Sequence, residues 1–378
     1  MTSVAKHVSP WRPGPPAAFA KALQVGTPQT HKGLAVVPLA FAGDRGPRYL
    51  TLAQALSAGS FHVTEVSEGG SVPALRAINE GPLGVLLLDG EELVGAKQNR
   101  VLNTAVFVPA KSRLDVPVSC VEAGRWRYSS REFHDEEFVV HATVRRAVHE
   151  SVSVSLNAAG AHRSDQGLVW DEVAGLQRFA EEPSHTGAHR DVYTQRAHDI
   201  AGYLGAFPLQ RGQHGLLVLR DGDVVGLDFV SRASCYAQLH SKLVRSYAFE
   251  AVTRRMGRVH AGGALKVDSE AGVQGHGGAR GKRGRGSHAE RALAAAQSFL
   301  AAIADLPARS FRSPGRGHDV RYSSDGLSGS ALVVGGVALH GAFFAAERDR
   351  SDGARGWSLA DGRMAGFERR RANRGPRV

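Results

Sequence analysis

The sequence predicts an α+β protein built around a duplicated β-rich unit, with antiparallel barrel or sandwich-like sheets and flanking helices. From residue 34 onward, short apolar runs alternate with Gly, Asp and Asn turns, as they do in hairpin-rich proteins. Segments with apolar residues at spacings of 3 and 4, typical of amphipathic helices, separate these runs. One β-rich segment recurs later in the chain, which indicates an internal duplication.

The two segments that indicate the duplication are both predicted to be hairpins. Residues 84–95 read Gly-Val-Leu-Leu-Leu-Asp-Gly-Glu-Glu-Leu-Val-Gly, and residues 215–226 read Gly-Leu-Leu-Val-Leu-Arg-Asp-Gly-Asp-Val-Val-Gly. Their flanking glycines share one offset, since 215 − 84 and 226 − 95 both equal 131. Each segment contains an Asp-Gly pair, which supplies the positive φ angles of a tight type I′ turn. Residues 329–340 are a third, looser copy.

The remaining elements follow from apolar spacing and capping residues. A strand is predicted at 34–41, and a short helix at 51–56 begins after Thr51, a residue type that caps helices. Further helices are predicted at 136–150, 168–181, 191–204, 233–254 and 287–304.

The chain divides into six predicted parts. These are a disordered N-terminus (1–16), a first β-rich unit (17–130), helices with a second β-rich unit (131–254), a flexible Gly/Arg-rich insertion (255–286), a helix with C-terminal strands packing on the core (287–355) and a basic tail (356–378).

The net charge of +11 suggests a polyanionic partner. Much of this charge lies in residues 275–286 and in the arginines of the tail, which lack apolar periodicity. Binding to nucleic acid is therefore predicted only through these flexible basic segments, and this is the third of three hypotheses for function.

Several classes of site are excluded by pattern. Cys120 and Cys235 are too few for a disulfide framework, and neither has neighbours with the spacing of a zinc site. His134, His141 and His149 fall in or beside the predicted helix 136–150 and are interpreted as part of its solvated surface. The chain also lacks a Walker loop and a dinucleotide-binding glycine motif. No metal and no bound cofactor are therefore predicted.

The cellular location is predicted from the length of the apolar segments, which are short. No run reaches the ~18 apolar residues of a membrane helix. The N-terminus has no apolar core of the kind found in signal peptides. A cytoplasmic protein without a membrane partner is predicted.

The densest polar constellation follows the first predicted hairpin. It comprises Lys97, Gln98, Asn99, Arg100, Asn103, Cys120, Glu122, Arg125 and Trp126. In a strand, Gln98 and Arg100 would share one face and Lys97 and Asn99 the other. One face could line a cleft, where Arg100 and Gln98 would offer planar donors to a phosphate or carboxylate.

This constellation has a plainer interpretation as well. The same residues could form the solvated face of an antiparallel sheet, with Asn99 and Asn103 bracing a turn. Trp126 could stack on a nucleobase or could anchor the core, and Cys120 is interpreted as a buried, unreactive thiol.

Residues 84–126 resemble the ARG (ADP-ribosylglycohydrolase) and rhodanese-phosphatase-superfamily-associated protein domain family, a domain of unknown function. The resemblance rests on the segments Asp-Gly-Glu-Glu-Leu-Val-Gly-Ala-Lys-Gln-Asn-Arg-Val-Leu-Asn (89–103) and Pro-Val-Ser-Cys-Val-Glu-Ala-Gly-Arg-Trp (117–126). It extends over about residues 36–344. Carried over with it are Glu91 and Glu92 and the nine residues of the constellation.

The resemblance implies a link to NAD and ADP-ribose metabolism, with ADP-ribosylglycohydrolases or phosphatase-like proteins in the same pathway. Our first hypothesis is a binding or regulatory domain that recognises an ADP-ribose-like or phosphate-bearing molecule through Lys97, Gln98, Asn99, Arg100, Asn103, Arg125 and Trp126. The second is a hydrolase of ADP-ribose or phosphoester linkages. In it Glu92 or Glu122 would be the general base, and Arg100 would stabilise developing charge.

Overall fold

The computed structural model describes residues 17–67, 73–95, 98–121, 132–172, 196–260 and 287–346, together with the backbone of residues 12–13. The α+β class predicted from the sequence is confirmed. The helices are α1 (Ala18–Ala22), α2 (Leu52–Ser57), α3 (Ala142–Ala159), α4 (166–172), α5 (Ala197–Ala206), α6 (Ala233–His260) and α7 (His288–Ala304).

The strands are numbered in chain order. They are β1 (Arg12–Pro13), β2 (Gln24–Val25), β3 (Gln29–His31), β4 (Leu34–Ala40), β5 (Tyr49–Thr51), β6 (Phe61–Glu65), β7 (Ala74–Asn79), β8 (Gly84–Leu87), β9 (Glu91–Gly95), β10 (Arg100–Leu102), β11 (Val106–Val108), β12 (Ser112–Cys120), β13 (Phe133–Val139), β14 (Gly215–Arg220), β15 (Asp223–Val230), β16 (Ala308–Arg312), β17 (His318–Ser324), β18 (Leu327–Val334) and β19 (Val337–Ala345).

These strands form three sheets. The largest has ten strands in the order β1-β16-β17-β18-β19-β15-β14-β4-β2, with β3 also paired to β4. The second has the order β13-β9-β10-β12-β7-β6 and curls into a half-barrel whose edge strands, β13 and β6, approach each other. The third is β11-β8-β5, in which β5 runs parallel to β8.

Helices cover both faces of the ten-stranded sheet. Helices α5 and α6 pack on one face around Tyr236 and Phe249, and α1 and α7 pack on the other around Ala296. A separate apolar core lies within the half-barrel, and α3 packs on the outer face of that sheet against Val101. The half-barrel sheet is therefore buried on both faces, which decides the environment of its polar residues.

The capping signals locate two helices correctly. Thr51 accepts a hydrogen bond from the backbone of Gln54, whose side chain accepts one from the backbone of Thr51, and α2 begins at the next residue. Ser287 and Glu290 form the same reciprocal capping box before α7. Helix α6 begins at residue 233, as predicted, and continues to residue 260.

The predicted helix at 136–150 begins too early. Residues 133–139 form β13, the edge strand beside β9, and α3 begins only at Ala142. The expected solvated helix surface is wrong as well, because His141 and His149 are 2% and 1% exposed. Pairing with β9 outweighs the helical spacing of this segment, as tertiary context commonly does.

Of the predicted helices at 168–181 and 191–204, the described parts are α4 and α5. Residues 173–195, the N-terminus before residue 12, the insertion at 261–286 and the tail after residue 346 lie outside the described residues. None of the described helices combines the length and the apolar character needed to span a membrane.

The hairpin predicted at 215–226 is confirmed. Strands β14 and β15 pair with each other, and Asp221 and Gly222 between them have φ angles of +50° and +88°. Positive φ at both central residues is what a type I′ turn requires.

The hairpin predicted at 84–95 is wrong. Strand β8 pairs with β5 and β11, whereas β9 pairs with β10 and β13, so the two runs belong to different sheets. With the glycines of the two segments aligned, Asp89-Gly90 comes one residue ahead of Asp221-Gly222. Asp89 lies in a turn, but its side chain is buried in an ion-pair network instead of being exposed. The two segments share a sequence frame but not a strand pairing.

Candidate functional site

The polar constellation lies around β10, and the strand register separates its members between the two faces of the half-barrel sheet. Arg100 is paired with Leu93 of β9 and with Cys120 of β12, whereas Val101 is paired with Glu92 and Ser119. Because paired residues point to the same side of a sheet, Arg100 and Glu92 lie on opposite faces.

Arg100 lies on the inner face, within the half-barrel. Its guanidinium is fully buried: Nη1 donates to Oε1 of Gln98 at 2.9 Å and lies 3.0 Å from Sγ of Cys120. Nη2 lies 3.9 Å from Oε1 of Glu65, the last residue of β6. We refer to Glu65, Gln98, Arg100 and Cys120 as the Arg100 site.

The thiol of Cys120 is held in an unreactive state. Burial raises the pKa of the thiol above its ordinary value, although the charge of Arg100 acts in the opposite direction. The side-chain amide of Gln166 accepts from the backbone N–H of Cys120 at 2.8 Å and donates to its carbonyl at 2.7 Å. Because a thiolate is needed for nucleophilic attack, Cys120 is suited to packing beside Arg100.

The outer face carries the amides of the constellation. Asn99 donates to Oε1 of Glu92 at 3.4 Å. Asn103 accepts from the hydroxyl of Ser119 at 2.6 Å and donates to the carbonyl of His162 at 3.1 Å. Asn103 thus connects β12 to the chain that follows α3, and Asn99 connects to β9.

The expectation of a solvated sheet face is wrong. Gln98, Asn99, Arg100 and Asn103 are each 5% exposed or less. The apolar core of the half-barrel covers one face of the sheet, and α3 covers the other. Lys97, Glu122, Arg125 and Trp126 lie outside the described residues, so their expected part in binding stays a prediction.

Residues 22–344 match the ARG and Rhodanese-Phosphatase-superfamily-associated Protein (ARPP-1) domain, which is most of the chain. The chain belongs to the ARPP-1 family. The resemblance noted in the sequence is thereby confirmed over slightly more of the chain than expected. No curated protein and no solved structure shows significant similarity to it.

A buried charge network in the ARPP-1 domain was missed by sequence reasoning. The guanidinium of Arg145 on α3 donates to both carboxylate oxygens of Asp228, at 2.9 and 2.6 Å, and to Asp89 at 3.1 Å. Asp228 also accepts from the hydroxyl of Tyr247 at 2.8 Å. A charged residue in the apolar run Val-Val-Gly-Leu-Asp-Phe-Val of β15 was the available signal.

His340 completes this network. Its Nε2 lies 2.6 Å from Oδ1 of Asp89, and its Nδ1 lies 2.9 Å from the carbonyl of Phe229, which can only accept. Burial acts to lower the pKa of His340, but the hydrogen bond and charge of Asp89 raise it above its ordinary value. Conversely, Arg145 and His340 overcome burial and hold the pKa of Asp89 well below its ordinary range. Two cations thus offset two carboxylates.

Two further clusters of buried charged residues surround Asp319 and Lys242. Asp319 accepts from Arg321 at 2.6 Å and from the hydroxyl of Thr104 at 2.8 Å. Lys242 on α6 donates to Glu91 at 2.7 Å and to Asp135 at 2.9 Å.

Within the described ranges, no three His, Cys, Asp or Glu side chains are arranged to hold a metal ion. The carboxylates of these clusters instead accept from arginine, lysine, histidine and hydroxyl donors.

The segment that was expected to be a hairpin turn, residues 89–92, therefore contributes side chains to three buried polar groups. Asp89 joins the Arg145 network, Glu91 joins the Lys242 cluster, and Glu92 bonds to Asn99 beside the Arg100 site. Buried charges cost free energy unless they are paired. The position of β9 and β10, and with them the position of Arg100, is tied to these pairings.

Proposed function

We propose that the chain is a ligand-binding or regulatory domain that recognises a nucleotide-derived anion, such as an ADP-ribose-like or phosphate-bearing molecule, at the Arg100 site. The observation that carries the proposal is a fully buried guanidinium on the inner face of a half-barrel. Ligand sites are common in the mouths of β-barrels. Guanidinium groups match the planar acceptors of phosphates and carboxylates.

The family supports the chemical class of the ligand. Its name associates the domain with ARG and with rhodanese-phosphatase-superfamily proteins. An ADP-ribosylglycohydrolase or a phosphatase-like protein of the same pathway is the partner that we propose. The names of these proteins refer to ADP-ribosyl and phosphate groups, and an arginine site is suited to such groups.

A thermal-shift experiment tests the proposal with ADP-ribose, NAD, AMP and inorganic phosphate. A ligand at about 100 times its dissociation constant should add roughly 2.7 kcal/mol to the free energy of unfolding. We expect ADP-ribose to raise the melting temperature of the wild type and to leave that of Arg100→Gln unchanged from its own unliganded value. Arg113→Gln, an exposed position on β12 of the same sheet, is the matched control and should respond like the wild type.

Two results would contradict the proposal. If none of the four compounds shifts its melting temperature, the nucleotide-derived ligand is excluded. If ADP-ribose stabilises Arg100→Gln as much as the wild type, Arg100 is not the binding residue.

One observation favours a hydrolase as the second candidate. Glu65 lies 3.9 Å from Arg100 on the inner face, and a carboxylate beside a cation is the minimum that acid-base hydrolysis requires. Glu92 lies on the other face of the sheet, so Glu65 is the more suitable base among the described carboxylates. Turnover of ADP-ribose in the samples used for thermal shift, followed by chromatography, would distinguish hydrolysis from binding.

A further inference from the structure

Glu65 is an unusual carboxylate in this fold. It ends β6, and with Phe61 and Val63 it occupies the alternate positions that face the inside of the half-barrel. Its cross-strand partner Leu75 belongs to the same apolar core. The side chain is 5% exposed, so its carboxylate is largely shielded from solvent.

Neither oxygen of this carboxylate accepts a hydrogen bond from a described residue. Its cationic neighbour among the described residues, Nη2 of Arg100, is 3.9 Å away, beyond hydrogen-bonding distance. In contrast, the buried carboxylates of Glu91, Asp228 and Asp319 all accept hydrogen bonds of 2.6 to 2.7 Å from cationic side chains. A buried polar group without a hydrogen-bond partner is costly and rare, and its presence requires an explanation such as a functional role.

The neighbourhood defines which donors Glu65 can take. An ionised carboxylate only accepts hydrogen bonds, and its two oxygens can accept two donors side by side. A cationic donor is disfavoured because the guanidinium of Arg100 lies next to the carboxylate. Neutral donors, of which hydroxyl groups are the simplest, therefore suit Glu65. Arg100, which only donates, suits an anionic group.

We propose that Glu65 binds the vicinal hydroxyls of a sugar phosphate whose phosphate pairs with Arg100. The separation of 3.9 Å between the two side chains requires that the ligand's hydroxyls and its anionic group belong to one small moiety. A ribosyl phosphate or ribosyl pyrophosphate has this combination. The inference rests on the proposed function, because it assigns the part of the ligand that the Arg100 site recognises.

Titration calorimetry with ADP-ribose gives the first test. We expect Glu65→Gln to weaken binding about 10-fold or more, as expected for the loss of a charge-assisted hydrogen bond. Glu132→Gln is the matched control. This half-exposed glutamate lies 3.5 Å from His62, which belongs to β6, the strand that contains Glu65. It should bind ADP-ribose like the wild type. Circular dichroism and the melting temperature report whether each variant folds; if Glu65→Gln does not, Glu65→Asp takes its place with the same expected direction.

Competition against ADP-ribose gives the second test. We expect ribose 5-phosphate to displace ADP-ribose from the wild type at about a tenth of the concentration that 2-deoxyribose 5-phosphate needs, because the deoxy sugar lacks one hydroxyl donor. In Glu65→Gln the two sugars should compete equally.

The outcomes separate the two proposals. If ADP-ribose does not bind the wild type, the proposed function fails, and the role of Glu65 fails with it. If ADP-ribose binds but Glu65→Gln binds it equally well, only the role of Glu65 is overturned. The sugar-phosphate assignment is likewise overturned if the two sugars compete equally with the wild type, or not at all.

Discussion

His149 on α3 is a buried histidine whose two ring nitrogens have no hydrogen-bond partner in the described part of the chain. Burial, followed by the charge of Arg321, lowers the pKa of its imidazole to about 3. The charge of Arg145 also lowers this pKa. The charges of Asp89 and Asp319 raise it, but not enough to restore the ordinary value. The folded protein therefore carries a neutral imidazole at pH 7.

This burial makes stability depend on pH. Below about pH 6.5 the unfolded chain binds a proton at His149 that the folded chain binds only near pH 3. The contribution of His149 to stability is therefore fully present above pH 6.5 and is lost as the pH falls, with a slope of up to about 1.4 kcal/mol per pH unit. We expect the free energy of urea unfolding, measured from pH 7.5 to 4, to fall less steeply in His149→Leu than in the wild type.

The control for this prediction is His134→Gln, since His134 is exposed on β13. It should retain the wild-type pH profile. Asp89 and Asp319, whose pKa values are held low, lose their contribution at more acid pH, and His340, whose pKa is raised, loses its contribution as the pH rises. These groups are present in all three proteins. Parallel profiles for the wild type and His149→Leu would contradict the prediction.

Two Asp-Gly turns show how one dipeptide serves different purposes in different elements. Gly222 joins β14 to β15 with a φ of +88°, and a Cβ atom there would meet nothing within 4 Å. Gly90 has a φ of +78°, and a Cβ atom there would lie 2.7 Å from Cγ of Arg145. Both turns need positive φ, but only the second must also leave room for a buried arginine.

Alanine substitution separates these two requirements. Gly222→Ala should lower the free energy of unfolding by roughly 1 to 2 kcal/mol, the cost of a left-handed backbone for a residue with a Cβ atom. Gly90→Ala carries the same cost and also displaces Arg145 from its aspartates, so we expect a loss larger by at least about 1 kcal/mol. Chemical denaturation of both variants measures the difference. Equal losses would show that Arg145 adjusts without cost.

At the scale of the whole molecule, strand pairing crosses the predicted boundary at residue 130. Strand β4 of the first unit pairs with β14 of the second, and β13, beyond the boundary, pairs with β9. The Arg145 network connects Asp89 with Asp228 and, through His340, with the last strand. The units predicted from the sequence therefore share sheets and buried charges.

This sharing predicts that the first unit does not fold alone. A fragment of residues 17–130 would leave β4 without β14, β9 without β13 and Asp89 without its cations. Unpaired buried polar groups of this kind are costly. We expect the fragment to lack dispersed amide signals in its nuclear magnetic resonance spectrum, whereas a chain of residues 1–346, which retains every described element, should show them. A dispersed spectrum from the fragment would establish an autonomous first unit.

The sequence by itself determined the features that depend on neighbouring residues. The capping boxes at Thr51 and Ser287, the start of α6 and the turn at Asp221-Gly222 are all local, because their hydrogen bonds and φ angles involve residues within a few positions. The α+β class followed from local patterns of the same kind, and the resemblance of residues 84–126 indicated the family. The unusual polar run at 97–103 could also be recognised as a candidate site.

Only the tertiary structure decided which of these polar residues meet. Arg145 and Asp228 are 83 positions apart, and Asp89 and His340 are 251 apart, so no local pattern joins them. The same long-range packing turned 133–139 into an edge strand, separated β8 from β9 and buried Arg100 opposite Glu65. A buried charge is stable only where a partner arrives from elsewhere in the chain, and the position of that partner is a property of the fold.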